Sequence, residues 1–145
     1  MKRLALFFIA LLSILGCSKE ERAIVGSKWV FQFDGSPYVM EFTSKSDVRL
    51  YEVDANYNYK DGLLEGTYSY NNGKIVFGEQ FGLVKASIII LYYRYYFMDA
   101  VIDGDILKVN ASEEKIVIPI VDGKAQEPEI TYLGEKTFSL MKLAL

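Results

Sequence analysis

Residues 64–77 read LEGTYSYNNGKIVF, and this stretch carries the clearest fold signal in the chain. Two short segments with alternating apolar and polar side chains flank the Asn-Asn-Gly sequence at 71–73. Asn and Gly tolerate the positive φ angles of a type I′ turn, which matches the twist of two antiparallel strands. The stretch therefore predicts a β-hairpin, with Tyr68 and Tyr70 on its inward face.

Similar turn signals recur along the chain, separated by short runs rich in Val, Ile, Phe and Tyr. That pattern predicts an antiparallel all-β domain of eight or nine strands without a long helix. The turn dipeptides are Asp34-Gly35, Asp61-Gly62, Asn72-Gly73, Asp103-Gly104, Asp122-Gly123 and Leu133-Gly134. The predicted strands are 28–34, 38–43, 47–55, 64–70, 74–77, 106–111, 115–121 and 136–143, with more in 83–102.

The apolar stretch 83–102 is too long for one average strand. It allows one long bent strand or two strands. A buried helix around 84–91 is disfavoured by the β-branched run Ile88-Ile89-Ile90, whose side chains are stiff. Pro119 predicts that strand 115–121 lies at a sheet edge or contains a bulge.

The first predicted strand places Trp29, Phe31 and Phe33 on one face and polar side chains on the other. We therefore expect Trp29 to be buried near one end of the domain.

Several of these segments resemble the small lipocalin-like domains of secreted bacterial lipoproteins. The resemblance implies a single antiparallel up-and-down β-barrel of about eight strands over 24–145, in which the early Trp29 is structural and plugs one end. The runner-up is an open β-sandwich. The resemblance also implies a fold used by small-molecule binders. The segments that carry it are 25–29, 40–43, 66–73 and 74–77.

The N-terminus has the organisation of a bacterial lipoprotein precursor. Lys2 and Arg3 precede the apolar stretch 4–16, which is too short to span a membrane comfortably. Cys17, the only cysteine, follows it, and 14–17 resembles a lipobox. This predicts a signal peptide at 1–16 and a lipidated Cys17 that begins a polar tether over 17–23. An uncleaved anchor, or a secretory signal with an incidental cysteine, is the alternative.

The residues of the tether indicate where in the cell the protein is attached. Ser18 after the cysteine is compatible with outer-membrane sorting, and Lys19-Glu20-Glu21 looks like a surface-export signal of some Gram-negative lipoproteins. A merely solvated tether explains the same residues equally well. We expect membrane attachment through Cys17, at the outer membrane or the cell surface.

Composition excludes several function classes. The 145 residues include no His and one Cys, so this chain has neither a Ser-His-Asp triad nor a Cys/His zinc site. A net charge of −3 argues against nucleic-acid binding. The segment 54–65 echoes a calcium loop, but Tyr59 stands where the required glycine belongs. No enzyme activity, metal or cofactor is predicted.

Counting back from Ile102 by twos carries Tyr96, Arg94 and Tyr92 to the barrel interior. An interior guanidinium needs a partner, which would be a carboxylate such as Glu52 or an anionic ligand head. A bulge in this strand would shift the alternation by one residue, so that Arg94 would face the solvent.

Two functions follow. The first is non-catalytic binding of a small, partly apolar ligand in the barrel mouth. The alternative is a protein-interaction module of a cell-surface complex that uses the Tyr-rich face of 91–97. The candidate ligand-binding residues are Arg94, Tyr92, Tyr96, Tyr68 and Tyr70.

Overall fold

Eleven strands account for most of residues 23–144, the part of the chain that the computed structural model describes. Within that part, no helix is both long and apolar enough to cross a membrane. The predicted signal peptide and Cys17 lie outside the described residues. The strands are β1 (Lys28–Phe33), β2 (Ser36–Phe42), β3 (Asp47–Val53), β4 (Tyr59–Asn71), β5 (Lys74–Phe77), β6 (Gly82–Ile88), β7 (Leu91–Asp103), β8 (Ile106–Val117), β9 (Ile120–Val121), β10 (Lys124–Ala125) and β11 (Glu129–Lys142).

The strands follow one another around a closed, antiparallel, up-and-down barrel. β5 and β6 both pair antiparallel with the same side of β7, one after the other along its length. Together they occupy the place of a single strand in the barrel. β11 returns to β1 through the pairs Trp29–Lys142 and Val30–Met141, which closes the ring. β9 and β10 form a separate small hairpin. The predicted single barrel of eight strands is therefore confirmed.

The two ends of the barrel differ in what reaches them. We call proximal the end where residues 23–27 enter, and distal the opposite end. The proximal end also carries the turns 43–46, 72–73 and 104–105, and the distal end carries the turns 34–35, 54–58 and 89–90 with the connection 118–128.

Backbone ladders join every pair of neighbouring strands around the barrel only in its proximal half. Within residues 23–144, β1 pairs with β11 no further than Val30, and β5 covers β4 only at 68–71. Nearer the distal end, one set of ladders joins β1 to β4, and a second set joins β6, β7, β8 and β11. The distal half therefore consists of two four-stranded sheets that face each other.

Trp29 fills the proximal end, as the alternation of β1 predicts, and is 1% exposed. Its indole N–H donates to Ser27 Oγ at 2.9 Å, and that hydroxyl donates to the Ile24 carbonyl at 2.5 Å. The polar end of a large apolar ring is thus satisfied inside the core. Other side chains with almost no exposure include Met40, Phe42, Val48, Leu50, Ile75, Ala100, Leu107, Val109 and Leu140.

Phe81 occupies the point where the wall changes from β5 to β6. It packs directly on the backbone of Gly66 in β4, where a Cβ atom would lie 2.4 Å from its Cδ2 atom. It also contacts Phe77 and Phe97, with ring centroids 5.6 and 5.8 Å apart. The interrupted ladder is sealed by an aromatic side chain, and Gly66 provides the space.

The stretch 83–102 forms two strands, β6 and β7, joined at 89–90, which decides between the alternatives left open by the sequence. Pro119 lies between β8 and β9, outside both strands. Tyr68 points inward as predicted and is 5% exposed, and Tyr70 packs against the same core.

Replacing Trp29 with Ala should lower the free energy of unfolding by about 3–5 kcal/mol, because it leaves a large cavity at the proximal end. Chemical denaturation followed by far-UV circular dichroism measures the change. In the unaltered protein, Trp29 emission should be blue-shifted and should move to the red on unfolding. Emission of the folded protein resembling that of free indole would contradict this placement.

Candidate functional site

A β-bulge in β7 decides which residues of the Tyr-rich segment face the interior. Between Phe97 and Asp99 the register of β7 against β8 shifts by one residue, so Met98 is the extra residue. Tyr95 and Phe97 therefore point inward, and they are 4% and 3% exposed. The sequence allowed either a regular strand with Arg94 inside or a bulged strand with Arg94 outside, and the structure has the bulged strand.

Arg94 consequently lies on the outer face, and its predicted role as an interior clamp for an anion is wrong. Its Nη2 donates to Glu114 Oε2 at 2.6 Å, and its Nε donates to the same oxygen at 2.9 Å. The guanidinium also lies 4.7 Å from the ring centroid of Tyr96. The hydrogen bond with Glu114 raises the pKa of Arg94. Glu52, considered as its partner, pairs instead with Lys60.

The five candidate ligand-binding residues do not form one site. Tyr92 and Tyr96 share the outer face with Arg94, because all three alternate with the inward Tyr95. Tyr68 donates its hydroxyl hydrogen to the Ser44 carbonyl at 2.6 Å, near the proximal turn 43–46. A candidate site must therefore be built from other side chains.

The inner faces of the two distal sheets meet through aromatic rings. Phe33 of β1 lies edge-on to Tyr95 of β7, with centroids 5.5 Å apart. Phe138 of β11 contacts both, at 6.2 Å from Phe33 and 5.7 Å from Tyr95. Tyr38 of β2 completes the group at 5.9 Å from Phe33. We call these four rings the aromatic floor.

Charged side chains surround this floor at the distal end. Asp34 pairs with Lys85 at 3.2 Å, and this ion pair joins the β1–β2 turn to β6 in the opposite sheet. Glu52 pairs with Lys60 at 2.6 Å, and that hydrogen bond lowers the pKa of the Glu52 carboxyl. The floor with its surrounding charges forms the distal mouth.

The second wall of the mouth carries a carboxylate and an ammonium group over the rings. Tyr95 donates its hydroxyl hydrogen to Glu113 Oε1 at 2.8 Å. Burial, together with this hydrogen bond, raises the pKa of Tyr95 to about 12. Lys136 places its Nζ 5.4 Å from the ring centroid of Tyr95 and 5.6 Å from that of Phe138. The Lys136 side chain thus covers two rings of the aromatic floor.

The side chains of the mouth offer both apolar surface and hydrogen-bonding groups to a small molecule. Aromatic faces accept a flat or apolar group, and Glu113 and Lys136 offer one acceptor and one set of donors beside it. Within residues 23–144 no three His, Cys, Asp or Glu side chains lie close enough to hold a metal ion.

The sequence contained part of the signal for this site. Phe138 lies in the predicted strand 136–143, where alternation with Leu140 marks the inward face. The pairing of Tyr95 with Glu113 could not be predicted from the sequence. It depends on how β7 aligns with β8, and the bulge shifts that alignment by one residue.

No protein-family model matches this chain, and no curated protein matches it. Among solved structures, the chain is similar to one titled "Crystal structure of rhizavidin-biotin complex", with a TM-score of 0.40 and 13% sequence identity. The similarity covers 84% of this chain and 97% of that one. A TM-score this low supports no conclusion about family or ligand, and the strand pairing described above establishes the barrel by itself.

Tyr95 should make the protein sensitive to alkali. Its pKa of about 12 in the folded state exceeds the usual value near 10, so the folded state holds this proton more tightly than the unfolded state. The resulting stability is complete below about pH 10 and is lost as the pH rises through about 12. Denaturation midpoints at about pH 9 and about pH 11 should differ less in Tyr95→Phe than in the unaltered protein.

The matched control is Tyr132→Phe, because Tyr132 is 61% exposed. An equal loss of alkaline stability in the unaltered protein and in Tyr95→Phe would contradict the assignment.

Proposed function

We propose that this chain is a lipid-anchored, non-catalytic binding protein of the outer membrane or cell surface, whose distal mouth holds a small, partly apolar ligand. The observation that carries the proposal is the contrast between the two halves of the barrel. The proximal half is fully paired and filled by the core around Trp29. The distal half separates into two sheets with aromatic rings and charged groups between them.

The position of the N-terminus agrees with an anchor. Residues 23–27 enter at the proximal end, on the side opposite the distal mouth. A lipidated Cys17 would be joined to that end by a tether of only a few residues. The mouth would then face away from the membrane, where a soluble ligand can reach it.

The side chains of the mouth indicate the chemical class of the ligand. The faces of Tyr95 and Phe138 are covered by Lys136, whose contact with each ring is worth about 0.5–1 kcal/mol at an exposed site. A ligand ring can displace this flexible side chain at small cost. The Glu113 carboxylate and the displaced ammonium group would then bind polar groups at the edge of the ligand.

A second candidate function is supported by the outward position of Tyr92, Arg94 and Tyr96. Tyr and Arg are enriched where proteins contact each other, and these three side chains lie together on one sheet face. This face would make the chain a protein-interaction module of a cell-surface complex. A photo-crosslinker in place of Tyr96 should then give an adduct with a different protein. The absence of such an adduct would reject this second function.

Cys17→Ser should abolish lipid attachment and block maturation, because the thiol is the acceptor of the diacylglyceryl group. Metabolic labelling with a clickable fatty acid, followed by gel fluorescence, measures the attachment. Undiminished label on the Ser variant would reject the anchor, without bearing on the ligand.

Native mass spectrometry of the protein extracted from its own membrane tests the ligand. The folded protein should carry a small-molecule adduct that is released on unfolding. Phe138→Ala should lose this adduct, because it removes part of the aromatic floor. Tyr132→Ala should keep it, because Tyr132 lies exposed on the outer face.

Because Phe138 also packs on the core, Lys136→Met serves as a second variant in which only an exposed side chain changes. It should weaken adduct formation and lower the thermal unfolding temperature by only a few degrees, because it removes no buried side chain. Failure to detect an adduct in the unaltered protein, or equal adducts in all variants, would reject the proposed site.

A further inference from the structure

Two opposite charges lie next to each other on the inner face of the distal mouth without pairing. Glu113 of β8 and Lys136 of β11 are diagonal neighbours, because Glu113 pairs with Gly134 and Lys136 pairs with Ala111 in the ladder between these strands. Long side chains at diagonal positions can reach each other. Within residues 23–144, however, no ion pair joins Glu113 to Lys136, and both side chains contact Tyr95 instead.

Both groups keep hydrogen-bonding capacity for a ligand. The Glu113 carboxylate accepts from a neutral phenol, the hydroxyl of Tyr95, through its Oε1 atom. The Lys136 ammonium group lies over the faces of Tyr95 and Phe138, which are not hydrogen-bond acceptors of the usual kind. A carboxylate can accept several hydrogen bonds and an ammonium group can donate several, so each group can still bind an opposite charge.

Gly134 leaves open space directly beside Glu113. A Cβ atom built on Gly134 would meet no atom within 4 Å outside its chain neighbours. Its φ angle of 110° is one that residues with side chains rarely adopt, and it follows the irregularity between Tyr132 and Gly134 in β11. A small charged group can therefore reach the Glu113 carboxylate without displacing a side chain.

The other ion pairs at the mouth already match their charges. Asp34 pairs with Lys85 at 3.2 Å, and Glu52 pairs with Lys60 at 2.6 Å. Glu113 and Lys136 are therefore the carboxylate and the ammonium group beside the aromatic floor that remain available to a ligand.

We propose, on the basis of the function proposed above, that the ligand is a zwitterion of the amino-acid type with an apolar side chain. Its ammonium group binds the Glu113 carboxylate in the space beside Gly134. Its carboxylate binds the ammonium group of Lys136, and its side chain covers the rings that Lys136 uncovers as it moves.

A ligand with a single charge fits this pair of groups less well. A cation on Glu113 would lie beside the like charge of Lys136, and an anion on Lys136 would lie beside the like charge of Glu113. A molecule that carries both charges avoids these repulsions and forms two charge-assisted hydrogen bonds, each about twice as strong as a neutral one.

Titration calorimetry of the full chain in detergent, at neutral pH, tests the charge of the ligand. The probes share a phenyl ring: L-phenylalanine carries both charges, phenethylamine lacks the carboxylate, and hydrocinnamate lacks the ammonium group. L-phenylalanine should bind about tenfold more tightly than either analogue, because each analogue loses one hydrogen bond between charged groups.

Two variants assign each charge to its residue. Lys136→Met should remove the advantage of L-phenylalanine over phenethylamine, and Glu113→Gln should remove its advantage over hydrocinnamate. Gln keeps an oxygen that can accept from Tyr95. The matched control is Lys115→Met, since Lys115 lies opposite the inward Tyr93, further from the floor than Glu113. This control should keep both preferences.

The outcomes separate this inference from the proposed function. Equal affinity for the three probes would overturn the zwitterion and leave the proposed site in place. Absence of binding by all three would overturn both. Tighter binding of either analogue, or a loss of preference in Lys115→Met as large as in Lys136→Met, would also overturn the inference.

Discussion

The contact between Phe33, Tyr95 and Phe138 holds together two sheets that, within residues 23–144, no backbone ladder joins in the distal half. Phe33 belongs to one sheet, and the other two rings belong to the opposite sheet. Each edge-to-face pair contributes about 0.5–1.5 kcal/mol beyond its burial. Without these rings the separated ladders would leave two apolar faces open to water. The floor of the distal mouth and the spacing of the charges above it both depend on this contact.

The same contact explains why the two halves of the barrel differ in structure. In the proximal half, continuous ladders satisfy the backbone around the ring, and the interior is filled around Trp29. In the distal half, contacts between side chains hold the two sheets together in place of backbone ladders. Side chains can change conformation to admit a ligand, whereas a backbone ladder cannot. Lys136 over the rings and the ion pair between Asp34 and Lys85 are such replaceable contacts. A binding site at this end and an attachment point at the other are therefore compatible in one small domain.

The interruption that separates the sheets also creates the free edge of β6. β4 and β6 would be neighbours in a fully paired barrel, but here Phe81, which precedes β6, packs on Gly66 of β4. Among the described strands, β6 forms a ladder only with β7. The proposed ligand site and the free edge of β6 thus arise from one feature of the wall.

The sequence by itself determined the strand pattern, the turns and the inward face of β1, since side-chain alternation is a local property with a period of two. Residues 64–77, Trp29 and Phe33 could be placed in this way, whereas the closed barrel was expected only from the resemblance to lipocalin-like domains. Tertiary structure decided the phase of β7, because the bulge at Met98 arises only where β7 pairs with β8. It therefore also decided that Arg94 meets Glu114 outside while Tyr95 meets Glu113 inside. Such pairs join residues that are 18–20 positions apart, and their register depends on packing that no local pattern records.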